Sequence, residues 1–209
     1  MAGMGIPRPV PLMRVDHLLV RCRLHGAEGL AAALRDWCAD PGMPLQPLRA
    51  AWSAATSLAY AYAAVPGGAE VSRDRRGALV HAWRQACPGA DGVDVSRLVT
   101  LQDRAGRSQG EAPRAHYVVE ADFEAGWEDE VSRWYEQEHL PGLAAVPGCV
   151  RALRFRNLDT GPASLACYDL TSECVPDTQP WLAVRGTAWS DVARPHMVNL
   201  RRNVLQLVR

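Results

Sequence analysis

The sequence predicts an α+β fold made of two similar units that follow one another along the chain. The first observation is a strand pattern over residues 17–24, HLLVRCRL, that recurs over 116–123 as HYVVEADF. The second is the amphipathic helical pattern that follows each of these strands. The third is SLAYAY at 57–62, which is matched by SLACYD at 164–169. The matched segments lie about 100 residues apart, which is typical of an internal duplication.

Each unit contains the same predicted elements in the same order. Strands are predicted from alternation of apolar and polar residues, and helices from apolar residues three to four positions apart. The first unit has strand 17–24, helix 26–40, strand 57–62, helix 74–86 and strand 97–102; the second has strand 116–123, helix 126–140, strand 164–169, helix 179–189 and strand 203–207. A further strand between the first helix and strand 57–62 or 164–169 completes the order strand–helix–strand–strand–helix–strand, which is the ferredoxin-like βαββαβ arrangement.

These elements divide the chain into two predicted domains, residues 14–105 and 114–209, with 106–112 as a glycine-containing linker. A four-stranded sheet with both helices on one face leaves its other face bare. We expect the two units to bury these bare faces by packing sheet to sheet, which gives an α+β barrel within one chain. The protein is then a monomer with a pseudo-dimeric repeat, or it forms a homodimer.

Composition and charge restrict the class of protein. The chain is 48% hydrophobic and 22% charged, which is typical of a globular protein with a sizeable core. The formal net charge is zero, so we expect neither nucleic acid nor an anionic membrane as a partner. No lysine is present, which excludes a lysine Schiff base.

The sequence lacks the usual signatures of cofactor binding, metal binding and export. The cysteines form no C-x-x-C pair, so we expect free thiols in a cytoplasmic protein and no zinc site. Residues 1–13 contain three prolines and no continuous apolar core, which argues against a signal peptide. No segment has the length of a membrane span. No nucleotide-binding or nucleophile-elbow motif occurs, and we expect no cofactor.

Alternation along strand 116–123 assigns its residues to two faces of the sheet. The face under the helices is expected to carry Tyr117, Val119, Ala121 and Phe123; the face toward the other sheet is expected to carry His116, Val118, Glu120 and Asp122. The corresponding strand of the first unit places Arg21 at the position of Glu120 and Arg23 at the position of Asp122, with His17 and Leu19 on the same face.

Two interpretations of these inward charges remain open, and a third is disfavoured. The first is ion pairing across the interface between the sheets. The second is a polar ligand cavity in which His116 and Glu120 bind the substrate. A metal site built from His116, Glu120 and Asp122 is disfavoured, because one strand alone rarely supplies convergent ligands.

The helix over 126–140 carries the strongest candidates for chemistry. At 100° per residue, Trp134 and Glu138 fall on one apolar arc, and Tyr135 and His139 flank it. A carboxylate on an apolar face is partly desolvated, which favours acid–base use, and a histidine titrates near neutrality. Pro141 is expected to end the helix.

Each candidate also has a structural interpretation. Glu138 could cap the helix or pair with Arg154 or Arg156, and His139 could donate to a carbonyl in the following loop. Tyr168 could be core packing instead of a catalytic group. His196, just before the last strand, could lie at a cavity mouth.

Five segments of the second unit carry a resemblance to a known family. They are W-Y-x-x-E-H-L-P at 134–141, V-P-G at 146–148, R-x-L-R-F-R at 151–156, LACYDL at 165–170 and RRNV at 201–204. In these segments the unit resembles EthD-like and related members of the dimeric α+β barrel superfamily. The first unit lacks the H-L-P segment, which suggests one active cavity per chain.

The resemblance implies a fold with a cavity and, in many relatives, catalysis without a cofactor. It makes His139 the proton-transfer residue, assisted by Glu138, with Tyr168 as a further catalytic candidate. The candidates for substrate binding are Trp134, Tyr135, Arg154, His116, Glu120 and His196.

The leading hypothesis from the sequence is a cofactor-independent cyclase or isomerase that acts on an aromatic or polyketide-like small molecule by enol chemistry. The alternatives are a cofactor-free monooxygenase on a similar substrate and a non-catalytic carrier of a hydrophobic metabolite. A haem-binding version is disfavoured, and a structural protein whose cavity is filled by side chains is a further alternative.

Overall fold

The structure, a computed structural model, describes residues 14–39, 44–68 and 71–209. The strands are β1 His17–Arg23, β2 Gln46–Trp52, β3 Leu58–Ala64, β4 Asp91–Ala105, β5 Ala115–Phe123, β6 Cys149–Asn157, β7 Ser164–Leu170 and β8 Met197–Val208. The helices are α1 Leu30–Cys38, α2 Arg76–Ala86, α3 Glu128–Trp134, α4 Leu140–Ala144, α5 Gln179–Arg185 and α6 Ala188–Ala193, with a π-helical turn, Tyr135–His139, between α3 and α4.

The eight strands form one closed antiparallel barrel in the order β1-β3-β2-β8-β5-β7-β6-β4. β2 pairs with β8 near the end of the chain, where Ala51 lies opposite Leu207. On the other side of the barrel, β4 pairs with β6 along most of its length, from Leu98 opposite Asn157 onward. The sheet is therefore continuous, where the sequence predicted two sheets packed face to face. This difference arises because β4 and β8 extend well beyond the predicted strands 97–102 and 203–207.

The barrel interior is a packed core of apolar side chains from all eight strands. Its buried members are Leu19, Ala51, Tyr60, Tyr62, Leu98, Val118, Leu153, Phe155, Leu165, Cys167 and Leu205. The predicted faces of β5 are confirmed where these contacts test them, because Val118 belongs to this interior core and Tyr117 to the core under the helices. A barrel of eight strands is just wide enough for its own side chains to fill it.

Two helix layers cover the outside of the barrel, and each has its own core. The first packs α1 and α2 against the outer faces of the N-terminal strands, with Trp37 and Trp83 in edge-to-face contact at 5.5 Å. The second packs α3 to α6 over the C-terminal strands, around Trp134, Tyr168 and Trp181. Most of the aromatic mass thus lies between sheet and helices.

The predicted helices differ from the observed ones in their ends. α1 begins at Leu30, after Gly29 in a left-handed conformation, and the predicted end at Asp40 lies outside the described residues. The predicted helix 179–189 is two helices, α5 and α6. They separate at Gly186, and Thr187 then caps α6 by accepting a hydrogen bond from the Ser190 amide. The prediction for residues 1–13 also falls outside the described part of the chain.

The prediction that Pro141 ends its helix is wrong. The chain stays helical from Glu128 to Ala144, and the π-turn lies just before the proline. In that turn the Leu140 amide donates to the Tyr135 carbonyl, five residues back. Pro141 then falls in the first turn of α4, where a residue without an amide hydrogen is tolerated. The π-turn is what lets the helix pass the proline.

The cysteines are all free thiols, and five of the six are buried. In the part of the chain that the structure describes, none of the helices is both long and apolar enough to span a membrane.

Replacing Gly106 by alanine tests the junction between β4 and β6. Gly106 is buried at the end of β4, and its amide donates to the Val150 carbonyl at 2.9 Å. An added Cβ would collide with the carbonyl group of Cys149, which is backbone and cannot rotate away. We expect Gly106→Ala to lower the free energy of unfolding by about 2 kcal/mol or more, measured by urea denaturation.

Gly89→Ala is the matched control for this substitution. An added Cβ at Gly89 has no heavy atom within 4 Å, and the residue is exposed. If both variants unfold at the same urea concentration as the wild type, the close approach of β4 to β6 is not a constraint on this fold.

Candidate functional site

The candidate site is a small cavity between the C-terminal strands and their helix layer. It lies over the outer faces of β5, β7 and β8 and has a volume of about 20 Å³, enough for about one water molecule. Its lining residues are Tyr117, Val119, Trp134, Tyr135, His139, Leu143, Tyr168, Trp181, Arg185, Arg194, Met197 and Arg202. The structure therefore brings Trp134, Tyr135, His139 and Tyr168 together, as four of the predicted site residues.

The π-turn determines which side chain stands over Trp134. In an α-helix the residue four positions later lies above it, which is why the helical projection chose Glu138. The extra residue of the π-turn advances this position by one, and His139 stacks on Trp134 with ring centroids 4.1 Å apart. The His139 ring also meets the Tyr135 ring edge to face at 5.4 Å.

His139 is held as a neutral imidazole. Its side chain is buried, with the residue only 7% exposed, and Nδ1 has no hydrogen-bond partner among the described residues. The pKa of His139 is lowered to about 3, mainly by burial and additionally by the positive charges of Arg194 and Arg185. The predicted hydrogen bond from His139 to a loop carbonyl is not found in the part of the chain that the structure describes.

Three other side chains that line the cavity have buried polar atoms without partners. The Tyr168 hydroxyl and the indole nitrogens of Trp134 and Trp181 make no hydrogen bond within the described residues. Burial raises the pKa of Tyr168 well above its ordinary value, so the phenol keeps its proton. All three groups are donors, and an unpaired buried donor costs about 1–3 kcal/mol. The cavity thus presents unused donors beside a neutral histidine.

Sequence reasoning missed Trp181 and the three arginines of this cavity. Trp181 and Arg185 are four residues apart on α5, so helical spacing alone places them on one face. Arg202 lies opposite Val119 in the pairing of β8 with β5, so it points to the same outer face as Val119. Arg194 follows α6, where no periodic pattern marks it.

Glu138 lies outside the lining of this cavity, which corrects its predicted place on the apolar arc. Its carboxylate accepts a hydrogen bond of 2.6 Å from the Thr187 hydroxyl at the start of α6. No contact between this carboxylate and Arg154 is recorded among the described residues. The carboxylate therefore fastens α6 to the helix that carries His139.

Arg154 is buried against Tyr135 and is not among the residues that line the His139 cavity. Its guanidinium lies 4.6 Å from the centre of the Tyr135 ring and donates to the Ser132 hydroxyl at 3.1 Å. Desolvation by burial lowers the pKa of Arg154, and its Nε has no partner among the described residues. It borders a second cavity of about 170 Å³ that also contains Phe123. Arg154 and His139 therefore face different cavities.

His196 is also outside the lining of the His139 cavity. Its ring stacks on Trp127 with centroids 3.3 Å apart, and Nδ1 hydrogen-bonds the Glu124 carboxylate at 2.7 Å. These contacts attach the segment before β8 to the segment before α3.

His116 and Glu120 lie in the barrel interior, on the opposite face of the sheet from His139. Glu120 pairs with Arg21 at 2.7 Å and accepts a hydrogen bond of 3.0 Å from the Tyr60 hydroxyl. The ion pair across the interface, the first of the interpretations above, is thus present for Arg21 and Glu120. No such pair is recorded between Arg23 and Asp122, and Asp122 instead accepts hydrogen bonds from the Ala163 amide and the Asn199 side chain.

His116 is part of a second buried chain of polar contacts. Its Nδ1 hydrogen-bonds Asp169 at 2.8 Å, its Nε2 meets the Tyr62 hydroxyl at 3.1 Å, and Asp169 in turn pairs with Arg49 at 2.8 Å. Burial lowers the pKa of His116 despite the Asp169 carboxylate. Among the described residues, no group of three His, Cys, Asp or Glu side chains could hold a metal ion.

No protein-family model matches the sequence, and no curated protein matches it either. Solved structures match the fold over almost the whole chain. A protein of Fusobacterium nucleatum, provisionally named a monooxygenase, matches with a TM-score of 0.63, 10% identity and 93% of each chain covered. An anthrone oxidase-like protein matches with a TM-score of 0.58, 12% identity, and 93% of this chain and 92% of that chain covered.

A third solved structure connects the barrel to the ferredoxin fold. It is a ferredoxin-fold protein of Listeria monocytogenes related to antibiotic-biosynthesis monooxygenases, with a TM-score of 0.51, 11% identity, and 94% of this chain and 97% of that chain covered. These likenesses are consistent with the α+β barrel superfamily. At such low identity they show the fold alone.

The burial of neutral His139 predicts a loss of stability in mild acid. In the unfolded chain its pKa is near 6.5, so below that pH the unfolded state binds a proton that the folded state refuses until about pH 3. Stability is therefore complete above pH 6.5 and falls as the pH decreases. We expect the wild type to lose about 2 kcal/mol more than His139→Phe between pH 7 and pH 5, measured by urea denaturation.

His81→Gln is the control, because His81 is exposed on α2 and should leave the wild-type pH dependence in place. His116 is present in all three proteins, so its own contribution cancels in the comparison. An identical pH dependence for the wild type and His139→Phe would contradict the assignment of a neutral buried His139.

Proposed function

We propose that this protein is a cofactor-independent enzyme that moves a proton on an aromatic or polyketide-like small molecule, leading to isomerisation or cyclisation through an enol. One observation carries the proposal: a neutral, buried histidine stacked on Trp134 at a cavity whose other polar groups are unused donors. A base, an aromatic surface and hydrogen-bond donors are the parts that enolisation needs.

His139 is the proposed base. The neutral imidazole has one nitrogen with a free lone pair, which takes a proton from a carbon acid and leaves an enolate. The negative oxygen of that enolate accepts hydrogen bonds from buried donors, for which the Tyr168 hydroxyl and the Trp181 and Trp134 indoles are available. Return of the proton to another carbon completes an isomerisation with no change in composition; attack of the enolate on a carbonyl in the same molecule gives a cyclisation.

Substrate binding requires the cavity to enlarge, because about 20 Å³ holds no aromatic ring. One wall of the cavity is formed by the short helix α5, which carries Trp181 and Arg185, and α6 follows it directly. Two hydrogen bonds fix α6 to α3 and the π-turn: Thr187 to Glu138 at 2.6 Å, and the Trp189 indole to Glu130 at 2.8 Å. In this proposal Glu138 positions the wall of the site and does not touch the substrate.

The proposal includes a tandem fusion of two EthD-like units, residues 14–105 and 114–209, of which only the second is active. The order of elements and the equal share of four strands from each part support it. In the first unit the corresponding layer is filled by Trp37 and Trp83, and the Trp37 indole donates to the Leu79 carbonyl. That layer offers no buried histidine.

A cofactor-free monooxygenase is the second candidate. It is favoured by the names of the structures that share this fold, a monooxygenase and an anthrone oxidase-like protein. The first step is the same proton removal by His139. The carbanion then reacts with O₂, and loss of water from the hydroperoxide leaves a new carbonyl group on the substrate.

Anthrone, a carbon acid with one labile methylene group, is the probe for both candidates. We expect the wild type to accelerate deuterium exchange at that methylene in D₂O without oxygen, and His139→Gln to lose this acceleration by about 100-fold or more. Exchange is followed by proton NMR against the rate in buffer. His81→Gln, which alters an exposed histidine of the first unit, should exchange at the wild-type rate.

Admitting oxygen separates the candidates. Oxygen uptake that matches conversion of anthrone to anthraquinone and water identifies the monooxygenase, and exchange without oxygen uptake supports the isomerase or cyclase. Binding of anthrone without deuterium exchange supports a non-catalytic metabolite carrier. An unchanged exchange rate in His139→Gln shows that His139 is not the base.

A further inference from the structure

Three arginines from three different elements converge on the mouth of the His139 cavity. Arg185 comes from the end of α5, Arg194 follows α6, and Arg202 lies on β8. We refer to them as the arginine cluster. They lie close enough to act on one another, because Arg185 and Arg202 both lower the pKa of Arg194, after the larger effect of its partial burial.

None of these guanidinium groups has an ion-pair partner among the residues that the structure describes. The only recorded hydrogen bond of the cluster's side chains runs from Arg194 to the carbonyl of Arg185, at 3.2 Å. Asp191 is close enough to favour the charged form of Arg194 but forms no ion pair with it. The Glu138 carboxylate is occupied by Thr187.

The other largely buried arginines of the described chain differ from the arginine cluster in their partners. Arg21 pairs with Glu120, Arg49 with Asp169 and Arg97 with Asp159, whereas the buried Arg154 lies against the Tyr135 ring and donates to Ser132. Three like charges without counter-charges repel each other, and the repulsion is relieved when an anion binds among them. The positive field reaches into the cavity, since Arg194 and Arg202 also act on the buried Tyr117 and Tyr135.

We propose that the arginine cluster binds the carboxylate of an aromatic acid, whose ring system enters the cavity between Trp134, Tyr168 and Trp181. This inference rests on the proposed function, because it names the class of substrate for the same site. The aromatic walls and the unpaired buried donors of Trp134, Tyr168 and Trp181 select a ring with polar substituents. The cluster adds a requirement for one negative charge at the edge of that ring.

The bound charge also acts on His139. The groups that face the ring are Tyr135 on its own turn, Tyr117 on β5, Tyr168 on β7, Arg202 on β8, Arg185 on α5 and Arg194 after α6. All the charged members of this set are positive, and Arg194 and Arg185 disfavour the imidazolium. A carboxylate between them offsets those charges and makes His139 a stronger base when the substrate is present.

Paired probes of the same shape test the inference. 2-Naphthoate and 2-naphthamide differ in charge at the same position, and their binding is followed by tryptophan fluorescence and calorimetry. We expect the wild type to bind 2-naphthoate at least tenfold more tightly than 2-naphthamide. Arg185→Gln/Arg194→Gln should weaken 2-naphthoate binding by at least tenfold and leave the affinity for 2-naphthamide within twofold.

The matched control is Arg35→Gln/Arg84→Gln, which removes the same charge from exposed positions on α1 and α2. It should bind both probes as the wild type does. Thermal unfolding of each variant shows whether it is folded, and Arg202→Gln provides an independent exposed position if the double variant is unstable. NMR titration of the His139 ring should show a rise in its pKa with 2-naphthoate bound and none with 2-naphthamide bound.

Equal affinity of the wild type for both probes, or equal losses for both in the double variant, overturns the inference. So does 2-naphthoate binding that the control variant weakens as much as the double variant. These outcomes are distinct from failure of the proposed function. Anthrone exchange that depends on His139, without a preference for 2-naphthoate, supports the proposed enzyme and contradicts an aromatic acid as its substrate. Selective 2-naphthoate binding without anthrone exchange retains the anion site and rejects the chemistry on that probe.

Discussion

Closure of the eight-stranded sheet is the constraint on which the rest of this structure depends. The pairings of β2 with β8 and of β4 with β6 leave no free strand edge, and they fix the width of the barrel. At that width the interior is filled by its own side chains, and its charges are used internally, as in the ion pair between Arg21 and Glu120. Because the interior is packed, the small cavity that His139 faces is displaced to the outside of the sheet, under the helices.

The sequence was informative where side chains repeat with a short period, and less so where the backbone departs from that period. Alternation along β5 correctly assigned Tyr117 and Val118 to different faces, because successive side chains of a strand point to opposite faces of the sheet. The predicted site joined His116 and Glu120 to His139, although they lie on opposite faces of one sheet. Nothing in a single sequence states whether a ligand cavity lies inside a barrel or outside it.

The π-turn shows why helical projection placed Glu138, and not His139, over Trp134. Helical projection assumes a constant rotation per residue, and one inserted residue shifts every later side chain around the helix axis. The shift removed Glu138 from the aromatic arc and placed His139 on Trp134. The sequence does contain a cause of the π-turn, because Pro141 has no amide hydrogen to donate to a carbonyl of the preceding turn. A proline six or seven residues after an aromatic pair thus permits either an end or a π-turn, and only the packing of α4 against β6 decides between them.

The electrostatics of the His139 cavity are best understood as those of an incomplete site. A buried imidazole with an unpaired Nδ1, three buried donors without acceptors and a cluster of unpaired arginines each oppose the stability of the folded chain. The buried groups among these, the imidazole and the three donors, cost about 1–3 kcal/mol each while they are unpaired, which is a large share of the stability of a typical domain. All of them occur in one helix layer, around one cavity, and all of them are satisfied by the same kind of molecule: one that carries a negative charge, hydrogen-bond acceptors and an aromatic ring. Within the described part of the chain, the first helix layer has no buried histidine and one buried polar atom without a partner, the indole nitrogen of Trp83. The unmet bonds are therefore concentrated in the second layer although both layers cover the same barrel, and this concentration is a stronger indication of a ligand than the fold itself.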